Sequence, residues 1–201
     1  MIRLPLLIRR PANPFWYLVL WAPYIALYQI SNRLLLFEPR QLPLSTLDNA
    51  IPFVPELLPL YVAYIPFFWW TLARSETDEA ANQAFYATYF QMLMCLPLFV
   101  FMPVRMPREL FYGADAYGLA DAFWRWFDAP HNCLPSLHAA NGLLLAQLNW
   151  RRRARWVHTF FAVAIVASAL LVKQHYVVDI VAGGCVYLLA RRFLAALRLA
   201  D

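Results

Sequence analysis

Apolar residues in this chain come in long runs, separated by shorter polar or proline-rich intervals. Such runs point to a bilayer rather than to a water-excluded core. A spanning helix takes about 20 mostly apolar residues. Six stretches are predicted as spans: Phe15–Phe37, Leu57–Ala73, Phe85–Val104, Pro135–Trp150, Val157–Val172 and Tyr176–Leu197. The fourth is short and draws on its flanks. Pro23, Pro66 and Pro97 fall inside spans, which lipid tolerates when neighbouring helices or water satisfy the freed carbonyls. The first run is long, rich in aromatics and without a small-residue cleavage site, so it reads as a mature helix and not as a signal peptide. The expected fold is all-α: a polytopic bundle of six transmembrane helices with an extracytoplasmic interfacial segment. Residues 1–201 form a single domain, with no repeat and no linker long enough to divide it.

Two intervals between spans stand out. In "FEPRQLPLSTLDNAIPFVPE", residues 37 to 56, closely spaced prolines break regular helix, and the segment is expected along the membrane surface. In "VRMPRELFYGADAYGLADAFWRWFDAPHNC", residues 104 to 133, the aromatic residues suit the headgroup zone. Its "LADAFWRWFD" reads either as a short interfacial helix with Phe123, Trp126 and Phe127 toward lipid, or as aromatics packed on the bundle ends.

Composition agrees with the runs: 62% of residues are hydrophobic and 14% charged, far from a soluble balance. The arginines set the orientation. Arg3, Arg9, Arg10, Arg74, Arg151, Arg152, Arg153, Arg155, Arg191, Arg192 and Arg198 fall on one side if both ends are cytoplasmic. Arg33, Arg40, Arg105, Arg108, Arg125 and Lys173 fall on the other. The net charge of +5 is thus accounted for by topology, without a nucleic-acid partner. "RRRAR" serves as an orientation signal or as a site for anionic headgroups, the former being the simpler reading. This bias fits a bacterial inner membrane with the site at the periplasmic face; a Golgi-type membrane is the alternative. Cys95, Cys133 and Cys185 are odd in number and widely spaced, so they indicate neither a disulfide framework nor a zinc site.

Ionisable residues at bilayer depth are costly and mark function. They cluster at two helix ends on the non-cytoplasmic side. In "SALLVKQHYVVDIVAGG", His175 and Asp179 are four residues apart, about 40° apart around a helix. A carboxylate there fixes the imidazole tautomer and leaves the other ring nitrogen free as a nucleophile. In soluble proteins the same spacing is more often a surface ion pair. In "HNCLPSLHAANG", Pro135 suits a first helical turn that a preceding polar residue can cap, and the free N–H groups of a helix start favour anions. Ser136 adds a hydroxyl and His138 a proton donor. Taken alone, this stretch reads equally as a phosphate cradle and as an ordinary cap with an incidental histidine. His131 reads as a loop residue, and His158 lies on the cytoplasmic side.

Together, "PSLH" and the later "S…KQHYVVD" resemble the type-2 phosphatidic acid phosphatase superfamily of membrane phosphatases and phosphotransferases, with its blocks KxxxxxxRP, PSGH and SRxxxxxHxxxD. Pro135, Ser136 and His138 match the second block, with Leu137 in place of glycine. Ser168, His175 and Asp179 match the third at its full spacing; Ala169 replaces its arginine, and Lys173 is the substitute cation. The first block has no literal match, and Arg105 and Arg108 stand at its place. The PSLH and KQHYVVD variants, with "DNAIPFVP" at residues 48 to 55, look most like the inositol phosphorylceramide synthase branch.

The resemblance implies two-step phosphoryl transfer. His175 is the nucleophile, Asp179 orients it, and His138 is the general acid and then base. Arg105, Arg108, Lys173 and Ser136 bind the phosphoryl oxygens. No metal or other cofactor is expected, since no carboxylate cluster suits magnesium. The expected partners are a lipid phosphate and a polyol or lipid acceptor, with water as acceptor giving a phosphatase. The alternative is a catalytically diverged lipid-binding or scaffold protein, which the missing first-block lysine and Ala169 would fit.

Overall fold

The computed structural model describes residues 2–9, 14–150, 153 and 155–200. Of the orientation arginines, Arg10, Arg151 and Arg152 lie outside the described residues. The structure is predominantly helical, as expected of an all-α chain. Its helices are α1 (Pro14–Arg33), α2 (Thr46–Ala50), α3 (Leu58–Val62), α4 (Tyr64–Ala73), α5 (Asp78–Phe101), α6 (Ala116–Phe127), α7 (Leu137–Leu148), α8 (Arg155–Leu171) and α9 (Val177–Ala196). Single 3₁₀ turns cover Pro55–Leu57 and Arg108–Leu110.

The expected spans differ from the helices in instructive ways. Helix α5 starts at Asp78, not Phe85, because Thr77 caps it. The Thr77 hydroxyl accepts the Ala80 N–H at 3.0 Å, and Asp78 and Glu79 complement the positive end of the helix dipole. The second stretch is broken at Ala63 into α3 and α4. Pro66 has no N–H to return to the Val62 carbonyl, which favours a break one turn before it. Helix α7 runs only from Leu137 to Leu148, about 18 Å at 1.5 Å per residue. It is the inner helix, packed against α4, α5, α8 and α9. Ala139, Ala140 and Gly142, all buried, let those neighbours approach closely. Among the described residues, one helix, Asp78–Phe101, is long and apolar enough by itself to cross a membrane.

Trp21 of α1 anchors the core. It meets Tyr24, Phe68, Trp69 and Phe85 edge-on at 5.3–5.6 Å, the arrangement that aromatic quadrupoles favour. The two intervals join through a short parallel pair, β2 (Arg40–Gln41) with β3 (Val104–Arg105). A second parallel pair joins the ends of the described chain: β1 (Ile2–Pro5) with β4 (Leu197–Ala200), in register from Ile2↔Leu197 to Pro5↔Ala200.

Candidate active site

The starts of α7 and α9 meet. Ser136 caps α7, its hydroxyl accepting the Ala139 N–H at 3.3 Å; the cap is thus Ser136 itself and not a residue before Pro135. The Ser136 N–H donates to the Asp179 carbonyl at 3.0 Å. This approach requires a glycine one turn further along α9. A Cβ on Gly183 would stand 2.4 Å from the Ser136 carbonyl oxygen and 2.9 Å from the Ala139 Cβ. The α8–α9 turn is closed by the Ala169 carbonyl, which accepts from the N–H groups of Gln174 and His175. Lys173 in this turn adopts φ 53°, a left-handed conformation that costs a non-glycine residue energy.

These contacts bring the histidines together. His175 Nδ1 lies 3.1 Å from the Cys133 carbonyl and 3.2 Å from Asp179 Oδ2. Both neighbours only accept hydrogen bonds, so Nδ1 carries the proton and Nε2 keeps its lone pair. Asp179, fully buried, also accepts the Tyr176 N–H at 2.9 Å, which fixes the carboxylate. The His138 and His175 rings are 5.5 Å apart, close to edge-on. Tyr61 stacks on His138 at 4.5 Å, and Tyr64 lies against it at the same distance. Tyr64 is held by Asn141, whose amide donates to the hydroxyls of Tyr64 and Tyr24 at 2.7 and 3.2 Å.

The expected phosphate donors separate into two groups. Arg108 is 3% exposed, and its Nε and Nη1 have no hydrogen-bond partner. It is near enough for its charge to act on His138. Burial works against that charge, but Tyr61 and Asp128 outweigh it and raise the Arg108 pKa above its usual value. Ser136 is likewise buried beside the pair. Arg105 instead turns outward to Glu109 at 2.8 Å and Gln41 at 3.3 Å. Lys173 donates to the carbonyls of Asp48 and Ile51, both at 2.7 Å. Arg105 and Lys173 are therefore not brought to the histidines by their side chains.

Sequence reading assigned no role to Asp48, yet it ties the 37–56 interval to the start of α9. Its Oδ1 accepts the Val177 N–H at 2.8 Å, and its Oδ2 accepts the Ser45 N–H and hydroxyl. Burial pushes the Asp48 carboxyl up, but the hydrogen bonds from Ser45 and Val177 and the Lys173 charge hold its pKa below the ordinary value. Tyr61, Tyr64 and Gly183 were also missed. The only available signal was the i, i+3 spacing of the two tyrosines, which is equally a core pattern.

A cavity of about 160 Å³ reaches the histidines between α1 and α4. Ile25, Tyr28, Tyr64 and Phe68 line its length, and Asp128, His138 and His175 are polar groups in its wall. Cys133, His175 and Asp179 bring three potential metal ligands within 4.8 Å. The Cys133 thiol, however, is pushed well above its usual pKa by burial and donates to the Pro130 carbonyl. His131 is bound to the end of α1 through Asn32. His158 stacks on Trp70, in a cluster apart from the pair.

The family model for the PAP2 superfamily matches residues 58–193, a stretch that includes both histidine blocks. No curated protein and no solved structure matches the chain.

Proposed function

The chain belongs to the PAP2 superfamily of phosphatases and phosphotransferases, and from that premise we propose that it acts on a phosphorylated lipid at a membrane, through a phosphohistidine formed on His175. The observation that carries this reading is the pinned Nδ1 of His175, which leaves Nε2 as a buried, oriented nucleophile beside a second histidine and an unpaired arginine.

In the first step Nε2 bonds to phosphorus as the P–O bond to the leaving group breaks. His138 gives its proton to the departing oxygen. In the second step His138 takes the proton of the acceptor hydroxyl. The acceptor oxygen then bonds to phosphorus and the N–P bond breaks, returning the lone pair to Nε2. Asp179 stabilises the charge that His175 carries in between. Arg108, Ser136 and the first N–H groups of α7 bind the phosphoryl oxygens, where charge accumulates. Arg105 and Lys173 keep their outer partners and support the segments around the site.

The aromatic slot between α1 and α4 supports a lipid substrate, because it is apolar along its length and polar where it meets the histidines. Six crossings with both ends cytoplasmic and the site at the periplasmic face agree with two features. The terminal strands lie side by side, and bulky apolar residues such as Phe160, Val163 and Val181 point outward from α8 and α9. The acceptor is water, giving a lipid phosphate phosphatase, or a polyol or lipid hydroxyl, giving an inositol-phosphate-type transferase like the branch its motifs resemble.

The test is mass spectrometry of the products when purified protein meets a panel of lipid phosphates, with and without inositol. Free phosphate marks the phosphatase and a new phosphodiester the transferase. Lipid binding with no turnover would instead establish the diverged binding protein that the cation-free Ala169 position would fit.

A further inference from the structure

Helix α6 (Ala116–Phe127) has two faces that differ sharply. Leu119, Phe123 and Trp126, at i, i+4 and i+7, are 69%, 71% and 75% exposed. The opposite face, carried on to the C-cap, holds Asp121, Trp124 and Asp128, all buried. Each of these three meets a different support of the site. Asp121 accepts from the Gln174 amide at 2.9 Å, next to His175. Trp124 meets Tyr61 edge-on at 6.0 Å, and Tyr61 is the ring stacked on His138. Asp128 accepts from the Tyr28 hydroxyl at 2.7 Å and the Asn32 amide at 3.0 Å.

These bonds also set the depth of α6. Gln174 lies in the turn between α8 and α9, while Asn32 and Arg33 end α1. Arg33 donates to the carbonyls of Trp126 and Phe127 at 2.8 and 3.0 Å, satisfying groups that a helix end leaves open. The helix is thus tied across the ends of these helices, on the side where the histidines lie. A helix facing water would carry charge outward. Here the one cation of its last turns, Arg125, is drawn to Asp121 at 2.9 Å, and the outer face is apolar. Ile30 in the last turn of α1 and Leu34 just past it are likewise apolar and exposed.

We propose that α6 docks its Leu119–Phe123–Trp126 face into the outer lipid leaflet, and that this docking holds the mouth of the aromatic slot, lined here by Trp124, Phe127 and Asp128, at the depth of the lipid substrate. The proposal rests on the membrane setting given above. An amphipathic helix at this depth binds the headgroup and acyl boundary in proportion to its buried apolar area. The leaflet would then hold the substrate mouth at one fixed depth over the histidines.

The test uses the full chain in lipid nanodiscs, with a nitroxide at Phe123→Cys in a Cys185→Ser background. The label is expected to collide with oxygen and to be shielded from a water-soluble nickel chelate, while a label at Glu79→Cys meets the chelate freely. In parallel, Phe123→Ser/Trp126→Ser is expected to lower turnover of long-chain phosphatidic acid in nanodiscs roughly tenfold, given the dependence on apolar area. Turnover of a short-chain, soluble analogue in detergent should stay unchanged. Chelate access at Phe123 overturns the docking. Dipolar broadening between labels overturns it in favour of a second copy. Equal loss on both substrates overturns the role of the leaflet and assigns the face to internal packing. The spin-label readout needs no turnover, so failure of the proposed lipid activity is distinguishable from failure of the docking.

Discussion

The backbone N–H of Ser136 donates to the carbonyl oxygen of Asp179, so the cap of α7 and the acid of α9 share one hydrogen bond. His138 follows the cap by two residues, and His175 precedes the acid by four. The spacing of the proposed catalytic pair is therefore set by main chain rather than by flexible side chains, which suits a reaction that depends on alignment.

Two adjacent glycines give a matched test of that contact. Gly183→Val should destabilise the protein by about 1–3 kcal/mol, the usual cost of overpacking, and should lower activity further by forcing α9 off Ser136. Gly184→Ala meets nothing within 4 Å and should leave both unchanged. Thermal unfolding in detergent and turnover of the same preparations check this.

The two histidines should fail differently. His175→Ala removes the proposed nucleophile and should abolish turnover for every substrate. His138→Gln removes a proton donor, typically a loss of about 10²–10⁴-fold. A substrate whose leaving group departs without a proton should restore the first-step burst of leaving group in His138→Gln and none of it in His175→Ala. Similar rescue of both variants would overturn the assigned roles.

The neighbouring arginines should also separate. Arg108→Met removes the unpaired buried guanidinium and should depress kcat/KM for phosphate-bearing substrates by roughly 10²-fold or more, as loss of a positioned donor to developing charge does. Arg105→Ala removes an exposed pair with Glu109, worth about 0.2–1 kcal/mol, and should change turnover by no more than a few-fold. Steady-state kinetics on both variants decide it.

Asp48 predicts a pH dependence of stability. Its folded pKa lies below the ordinary carboxylate value. The stabilisation is therefore fully present above the unfolded value of about 3.9 and is lost as pH falls through the folded pKa. Wild-type Tm should drop more steeply than that of Asp48→Asn as pH is lowered from 6 to roughly 3. Parallel curves would show that Asp48 contributes nothing through its charge.

Local chemistry was readable in the chain; long-range pairing was not. The His175–Asp179 contact is a matter of residue type and helical spacing, so it could be named from residues alone. Arg105 and Arg108 are the same residue type in one short segment, and only the 3₁₀ turn at Arg108–Leu110 accompanies their separation into an outward and a buried side chain. The bond from Asp48 to Val177 joins distant segments and leaves no periodic trace. Gly183 inside a helix reads as a local cost until the neighbouring carbonyl is known. The hydropathy runs located the helices but misplaced several ends, because Thr77 and Ser136 set those ends by capping rather than by hydrophobicity.

The parallel pairing of β1 with β4 bears on how the protein resists force. Tension applied at Ile2 and Ala200 pulls two parallel strands along their own axes in opposite directions. The rungs from Ile2↔Leu197 to Pro5↔Ala200 are then loaded together, in shear, and cannot open one at a time as in a hairpin unzipped from its end. The strap is the first mechanical barrier in series with the bundle, and helices can be drawn out only after it has ruptured as a unit.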